Sequence, residues 1–404
     1  MDMPTNGIGR RIAYWRERRG FTQADFGRLM GQSRRWVQDV EGGHRQTDPR
    51  LSILERAADI LRIPLEQLLT DAPAPPPRAQ PPAPVLAVVD ALHHTVDQPA
   101  PQEADLRRRL TYCCGAFQAC HYGALARELP KLLTLTRAAV AAANLETRSS
   151  THAILSRVYQ LTASYLQKYG EATLPQASVA ADRALAAAEI AADPVAIAAA
   201  SRRVTKNISR QGRPGAAVVF ASTTANRLRA DLETRGPEGL STLGMLYLSA
   251  AIAATGNARS PDAINAMQNL IGEAEDVADQ QGEDLNADWT SFGPTNVTLH
   301  QIDALTRFED GWSALEAASS LDAESLAALS RERRARHLIT EARANVLTRR
   351  PDAAVQAVVT ANALAPEEVQ GRPSTVSLVK DLLGASPAPG RELRNLAQRC
   401  GLRA

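Results

Sequence analysis

Apolar positions along the chain recur three and four residues apart and almost never alternate, which is the period of helices lying on a core. Residues 8–19 place Ile8, Ile12 and Trp15 on one face, and Gly20 reads as a stop. Thr22 opens a second helix whose apolar face includes Phe26, Leu29 and Met30; Gly31 ends it, because the left-handed residue that closes a helix is best supplied by glycine. Ser33 is a good cap for a third helix with Val37 and Val40 facing inward. Two short helices held in contact by a glycine turn predict a helix-turn-helix.

Beyond it the pattern changes twice. Residues 71–84, "DAPAPPPRAQPPAP", cannot continue a helix and favour extended polyproline conformations, so they read as a spacer. "VLAVVDALHHTV" (85–96) is a short apolar patch, expected as a helix docking on the C-terminal domain, before "DQPAPQE" interrupts again. From 104 to 384 the chain reads as helix after helix, broken at stretches such as "AADP", "RQGRPG", "TGNARSPD" and "TRRPD". Short breaks between amphipathic helices imply antiparallel neighbours, and a long series of such hairpins is an α-solenoid. In the last hairpin Ala342, Ala354, Ala361 and Pro366 match the small-residue and terminal-proline positions of a tetratricopeptide repeat, and Ala251 and Ala263 repeat part of that spacing. The expected organisation is all-α: a helix-turn-helix domain over 1–70, a linker over 71–103, a tetratricopeptide-like solenoid over 104–384 and a tail over 385–404.

Composition agrees with this reading and narrows the function. At 404 residues the chain has room for two or more domains, and aromatics are only 4% of it. No apolar run approaches the roughly 18–20 residues of a membrane span, and the start has no signal-peptide apolar region, so the expected location is the cytoplasm with no membrane partner. Net charge is only +2, yet residues 8–45 hold nine arginines against four acids, while residues 46–71 hold three against five. A basic face confined to the first helices fits a nucleic-acid footprint. Cys113, Cys114 and Cys120 crowd near His121, with Cys400 far away; their spacing does not put three ligands on one helical face, so they read as small buried residues and no metal or other cofactor is expected. There is no phosphate loop, H-E-x-x-H or G-x-S-x-G, and the chain is not expected to be an enzyme.

Thr22 and Gln23 opening the second helix, Gly31 in the turn, Ser33 capping the third and Glu41-x-Gly43 closing it closely resemble the Cro and phage-repressor class, the xenobiotic-response-element (XRE) family of bacterial regulators. The resemblance continues through 47–69; Gly27 and Trp36 depart from it, standing where alanine and a small polar residue are usual. It implies that double-stranded DNA is the partner and that the first exposed positions of the third helix, Arg34 and Arg35, then Gln38 and Asp39, reach base edges in the major groove. Arginine bonds bidentately to guanine, which implies a GC-containing half-site; Asp39 would accept from cytosine or hold Arg35 through an i,i+4 pair. Gln23, Ser33, His44 and Arg45 are implied at backbone phosphates, and Arg16 with Glu41 as a buried structural ion pair. Arg10 and Arg11 read equally as phosphate contacts or as solvated surface.

The C-terminal stretches "FGPTNVTLH" (292–300), "ERRARHLITEARA" (332–344) and "APEEVQGRPSTVSLVKDLL" (365–383) resemble the helical sensor regions attached to such domains in actinobacterial regulators. That implies a regulator whose solenoid makes a homodimer, senses a peptide, small molecule or protein, or does both. Asn296, His300 and Arg343 are candidates to line a ligand groove, set against a plain surface or hairpin-stabilising role. The rival expectations are a protein-interaction adaptor and an antitoxin-like repressor bound to a partner protein.

Overall fold

The computed structural model describes residues 7–19, 21–42, 49–69, 81–94, 98–386 and 388–402. Gly20, His44, Arg45 and most of the proline-rich spacer lie outside the described residues. The chain forms two compact units, Met1–Ala79 and Gln80–Ala404. Both are all-α among the described residues, where the one β pairing is an isolated bridge between Leu285 and Phe292.

The first unit consists of α1 (Ile8–Arg18), α2 (Gln23–Met30), α3 (Arg34–Glu41), α4 (Leu51–Leu61) and the short α5 (Glu66–Leu69). Ile12, Phe26, Met30, Val37, Val40, Leu54, Leu61 and Leu68 make its core. Trp36 is half-buried against that core. Leu29, expected on the apolar face of α2, is instead 47% exposed. The buried face is Phe26, Gly27 and Met30. It turns that way because Gly27 abuts the turn: a Cβ there would lie 2.9 Å from the carbonyl oxygen of Gln32.

The second unit opens with α6 (Ala83–His93), which buries Val85, Val88 and Leu92 and packs on α8. Hairpins follow in succession: α7 (Glu103–Gln118), α8 (Tyr122–Ala141), α9 (Arg148–Leu166), α10 (Leu174–Ala191), α11 (Pro194–Arg210), α12 (Pro214–Glu233), α13 (Gly236–Ala254), α14 (Pro261–Gln281), α15 (Pro294–Arg307) and α16 (Gly311–Ser319). After the short α17 (Ala323–Ala328) come α18 (Arg331–Leu347), α19 (Pro351–Leu364), α20 (Pro366–Gln370), α21 (Pro373–Ala385) and α22 (Arg391–Arg399). Many of the prolines that read as loop residues are the first residues of helices, where a missing N–H costs nothing and the fixed φ suits the first turn. Alanine sets the helix spacing. On α10, Ala177, Ala180, Ala181, Ala184 and Ala188 are fully buried, so α9 can approach closely. Ala342, Ala354 and Ala361 do the same for α18 and α19.

From α7 to α16 each helix touches the next, and within that run every second helix also touches, α7 with α9, α9 with α11, α11 with α13 and α13 with α15, while α15 meets α18. These six form an inner row. α18 then contacts α7, so the row returns to its beginning. Residues 385–404, expected as a tail, contain α22; its stripe of Leu393, Leu396 and Ala397 is buried against α19 and α21. No helix of the described residues is long and apolar enough to cross a membrane.

Candidate nucleic-acid interface and central cavity

The turn between α2 and α3 is fixed from both sides. Thr22 Oγ1 accepts from the Asp25 backbone N–H at 3.1 Å while Asp25 reaches back to the Thr22 N–H, a reciprocal cap. Gly31 takes φ +68° at the end of α2, and Ser33 Oγ accepts from the Trp36 N–H at 3.1 Å to start α3. With Val37 and Val40 inward, Arg34, Arg35 and Gln38 are exposed on the other face and Asp39 is half-buried. Among the described residues the Arg35–Asp39 pair is not formed.

Behind this helix Arg16 Nε meets Glu41 Oε1 at 2.6 Å and Arg16 Nη2 meets Oε2 at 3.1 Å, with both side chains 7% exposed. Arg16 Nη1 also donates to the Phe21 carbonyl at 2.8 Å, which ties α1, the start of α2 and the end of α3 together. The Glu41 hydrogen bonds raise the Arg16 guanidinium above its ordinary value against the cost of burial. Gln23, implied at a phosphate, donates one amide hydrogen to Glu41 Oε2 at 2.8 Å and so faces inward at that hydrogen. Arg11 is not a surface residue: it is 2% exposed and its Nε donates to the Leu68 carbonyl at 2.8 Å.

In the second unit, the inner row surrounds a cavity of about 300 Å³. Ten arginine and lysine side chains line it against three carboxylates, Asp288, Asp303 and Glu332. Some cations are paired. Arg157 bonds Asp288, Arg307 Nε lies 3.0 Å from Asp303 Oδ1, and Lys168 bonds both Glu332 and Glu368, the latter at 2.6 Å. Burial works against the charged form of Glu332, but Lys168 and Arg336 overcome it and hold the carboxyl well below the usual carboxylate range. Arg333 Nε donates to Asn296 Oδ1 at 2.6 Å. Its Nη2 lies 2.6 Å from His300 Nδ1 and 3.0 Å from Nε2, and Nδ1 is also 2.8 Å from the Asn296 carbonyl oxygen; burial beside Arg333 pushes the imidazole well below its ordinary value and favours the neutral ring.

Others are unpaired. Arg202, Arg203 and Lys206, all on α11, have no ion-pair partner among the described residues, and the Nε atoms of Arg202 and Arg203 are buried without a hydrogen-bond acceptor. Burial and the neighbouring Arg210, Arg336, Arg372 and Arg203 push the Lys206 ammonium well below its ordinary value. Burial and Arg157 push Arg203 down to about 10. Because a guanidinium does not in practice lose its proton, that shift is a free-energy cost carried by the folded chain.

Of the three groove candidates, His300 lines the cavity and Asn296 is fully buried behind it, fixing Arg333. Arg343 lies elsewhere, with Nη2 3.4 Å from the Ser374 carbonyl oxygen. Sequence reasoning missed the α11 cations, although the pattern was available: "SRRVTKNISR" (201–210) puts Arg202, Lys206 and Arg210 at i, i+4 and i+8, on a helix without one acidic residue. Cys114 lines the cavity, and burial pushes its thiol up to about 12; Cys113 and Cys120 are likewise buried and raised.

A search of curated proteins finds no match to this chain. Residues 8–70 match a family model described as "Helix-turn-helix domain", so the chain carries a helix-turn-helix domain over α1 to α5.

Proposed function

We propose that the protein is a sequence-specific DNA-binding transcriptional regulator of the XRE type, with the helical second unit as its sensing and dimerising part. The observation that carries the reading is the exposed start of α3. Arg34, Arg35 and Gln38 stand free of intramolecular ion pairs among the described residues, on a helix whose first turn, inner face and C-terminal end are each fixed. Such a helix can enter the major groove without reorganising, and its arginines have the fork that guanine O6 and N7 accept. Asp39, lacking Arg35 as a partner, suits cytosine N4. Ser33 and the unused hydrogen of the Gln23 amide suit phosphate oxygens, as do His44 and Arg45, which lie outside the described residues. The alternation of inner and outer helices and the alanine seams support the tetratricopeptide-like reading of residues 104–384, with the proline-rich stretch as a linker. Two heads on half-sites about one helical turn or a small multiple apart would supply affinity that a single small head lacks.

The test is recovery of genomic DNA by the purified protein beside its Arg34→Ala/Arg35→Ala variant. The wild type should enrich a two-armed motif, with affinity falling steeply as salt rises, and the variant should lose the motif while its helical content and melting temperature stay unchanged. Equal recovery of unstructured background by both proteins would refute base reading by α3 and leave the adaptor reading in its place.

A further inference from the structure

The central cavity carries an excess of cations that the chain does not neutralise. Across the described residues, carboxylates answer Arg157, Lys168, Arg307 and Arg372, and Arg336 sits 3.9 Å from Glu332. Arg202, Arg203 and Lys206 have none, although α11 places all three against the same space. Gathering like charges in a partly desolvated cavity costs stability, and a solenoid gains nothing structural from it: alanine or leucine at these positions would pack an inner helix equally well. Cations kept there are explained by an anion that completes the site.

We propose that the cavity binds a small polyanion carrying two or more phosphate groups, in the size class of a nucleotide. Three features select this chemistry. The lining cations outnumber the carboxylates around them, Asp288, Asp303, Glu332 and Glu368, by six, and they face a cavity of about 300 Å³, at the small end of ligand sites. A phosphate monoester brings nearly two charges and three acceptor oxygens where a carboxylate brings one charge and two oxygens, so phosphates reach the required charge in that space most readily. Most of the lining cations are arginines, whose planar fork bonds phosphate bidentately. Phe117 and Trp289 add flat apolar surface in the same cavity, suited to a ring. Arg333, clamped by Asn296 and His300, is oriented before the ligand arrives.

The experiment is calorimetric titration and thermal melting of the full-length protein at physiological salt, without DNA, using pyrophosphate, ATP and citrate. ATP and pyrophosphate should bind and raise the melting temperature by at least about 3 °C at saturating concentration. Citrate should bind at least tenfold more weakly. Lys206→Met should weaken ATP binding at least tenfold while raising the melting temperature of the unliganded protein, because it removes an uncompensated charge. Arg202→Met should behave alike, and Arg34→Ala/Arg35→Ala should bind ATP as the wild type does. Absence of a shift with pyrophosphate and ATP at millimolar concentration would overturn the proposal. So would citrate binding as tightly as ATP, loss of binding in the α3 double variant, or a Lys206→Met protein less stable than wild type, which would assign the charge to structure. The further step, that the polyanion alters operator binding, rests on the DNA-binding reading. Since binding is read without DNA, failure of either reading leaves the other standing.

Discussion

At Gly9 the chain has no room for a methyl group. A Cβ there would lie 1.9 Å from the Val40 carbonyl oxygen, because α1 crosses the end of α3 at that residue. The same end of α3 is held by Arg16 and Glu41, so the position of the exposed arginines depends on two contacts that never reach DNA. Gly9→Ala gains helix propensity of about 1 kcal/mol and loses more by forcing the helices apart. We expect a net destabilisation of the first unit of at least about 2 kcal/mol in urea denaturation followed by tryptophan fluorescence, since Trp15 and Trp36 both belong to this unit. An unchanged midpoint would mean that α1 moves aside freely and that the crossing is not fixed.

At the level of elements, regular patterns were legible and irregular balances were not. The helix-turn-helix could be read because capping, glycine turn and apolar spacing coincide in Thr22, Gly31, Ser33 and Val37, and the last hairpin because alanine spacing is a direct consequence of close helix approach. Leu29 misled because an apolar residue at i+3 from Phe26 looks like core until the missing Cβ of Gly27 rotates the helix. The α22 stripe was hidden among charges on a helix of nine residues. The cavity was invisible for a different reason: its cations come from several helices and only the fold brings them together, although Glu332, Arg333 and Arg336 sit close together at the start of α18. On α18, His337 is buried, and burial with Arg333 nearby holds its imidazole down to about 4 from 6.5. The folded chain therefore favours neutral His337. Its contribution to stability is full above pH 6.5 and is lost as pH falls from there toward 4, at up to about 1.4 kcal/mol per unit. Melting at pH 7 and at pH 5 should show this loss, and His337→Leu should shrink it; an equal loss in the variant would place the proton uptake elsewhere.

In the second unit, polar ties join segments far apart along the chain. Lys168, in the 3₁₀ segment after α9, bonds Glu332 of α18 and Glu368 of α20; Arg331 Nη1 donates to the Ala119 carbonyl at 3.0 Å; and Gln118 and Asn286 exchange amide hydrogen bonds at 2.8 and 2.9 Å. Lys168→Met would leave Glu332 and Glu368 buried near each other with Arg336 and Arg372 as remaining partners. We expect a loss of about 3–5 kcal/mol at pH 8, and a smaller loss at pH 5, where one of the two carboxyls takes up a proton. Equal losses at both pH values would show that the pair stays ionised without the lysine.

A linear stack of helical hairpins unravels from its exposed ends, since a terminal repeat has one neighbour to lose and an internal one has two. In the second unit α7 and α18 are neighbours, so neither is terminal in that sense. Unravelling the inner row must first break this seam, which few contacts close. The protein should therefore resist slow fraying yet respond sharply to any change at the seam, with its lifetime against unfolding set by those few contacts more than by the size of its alanine-rich core.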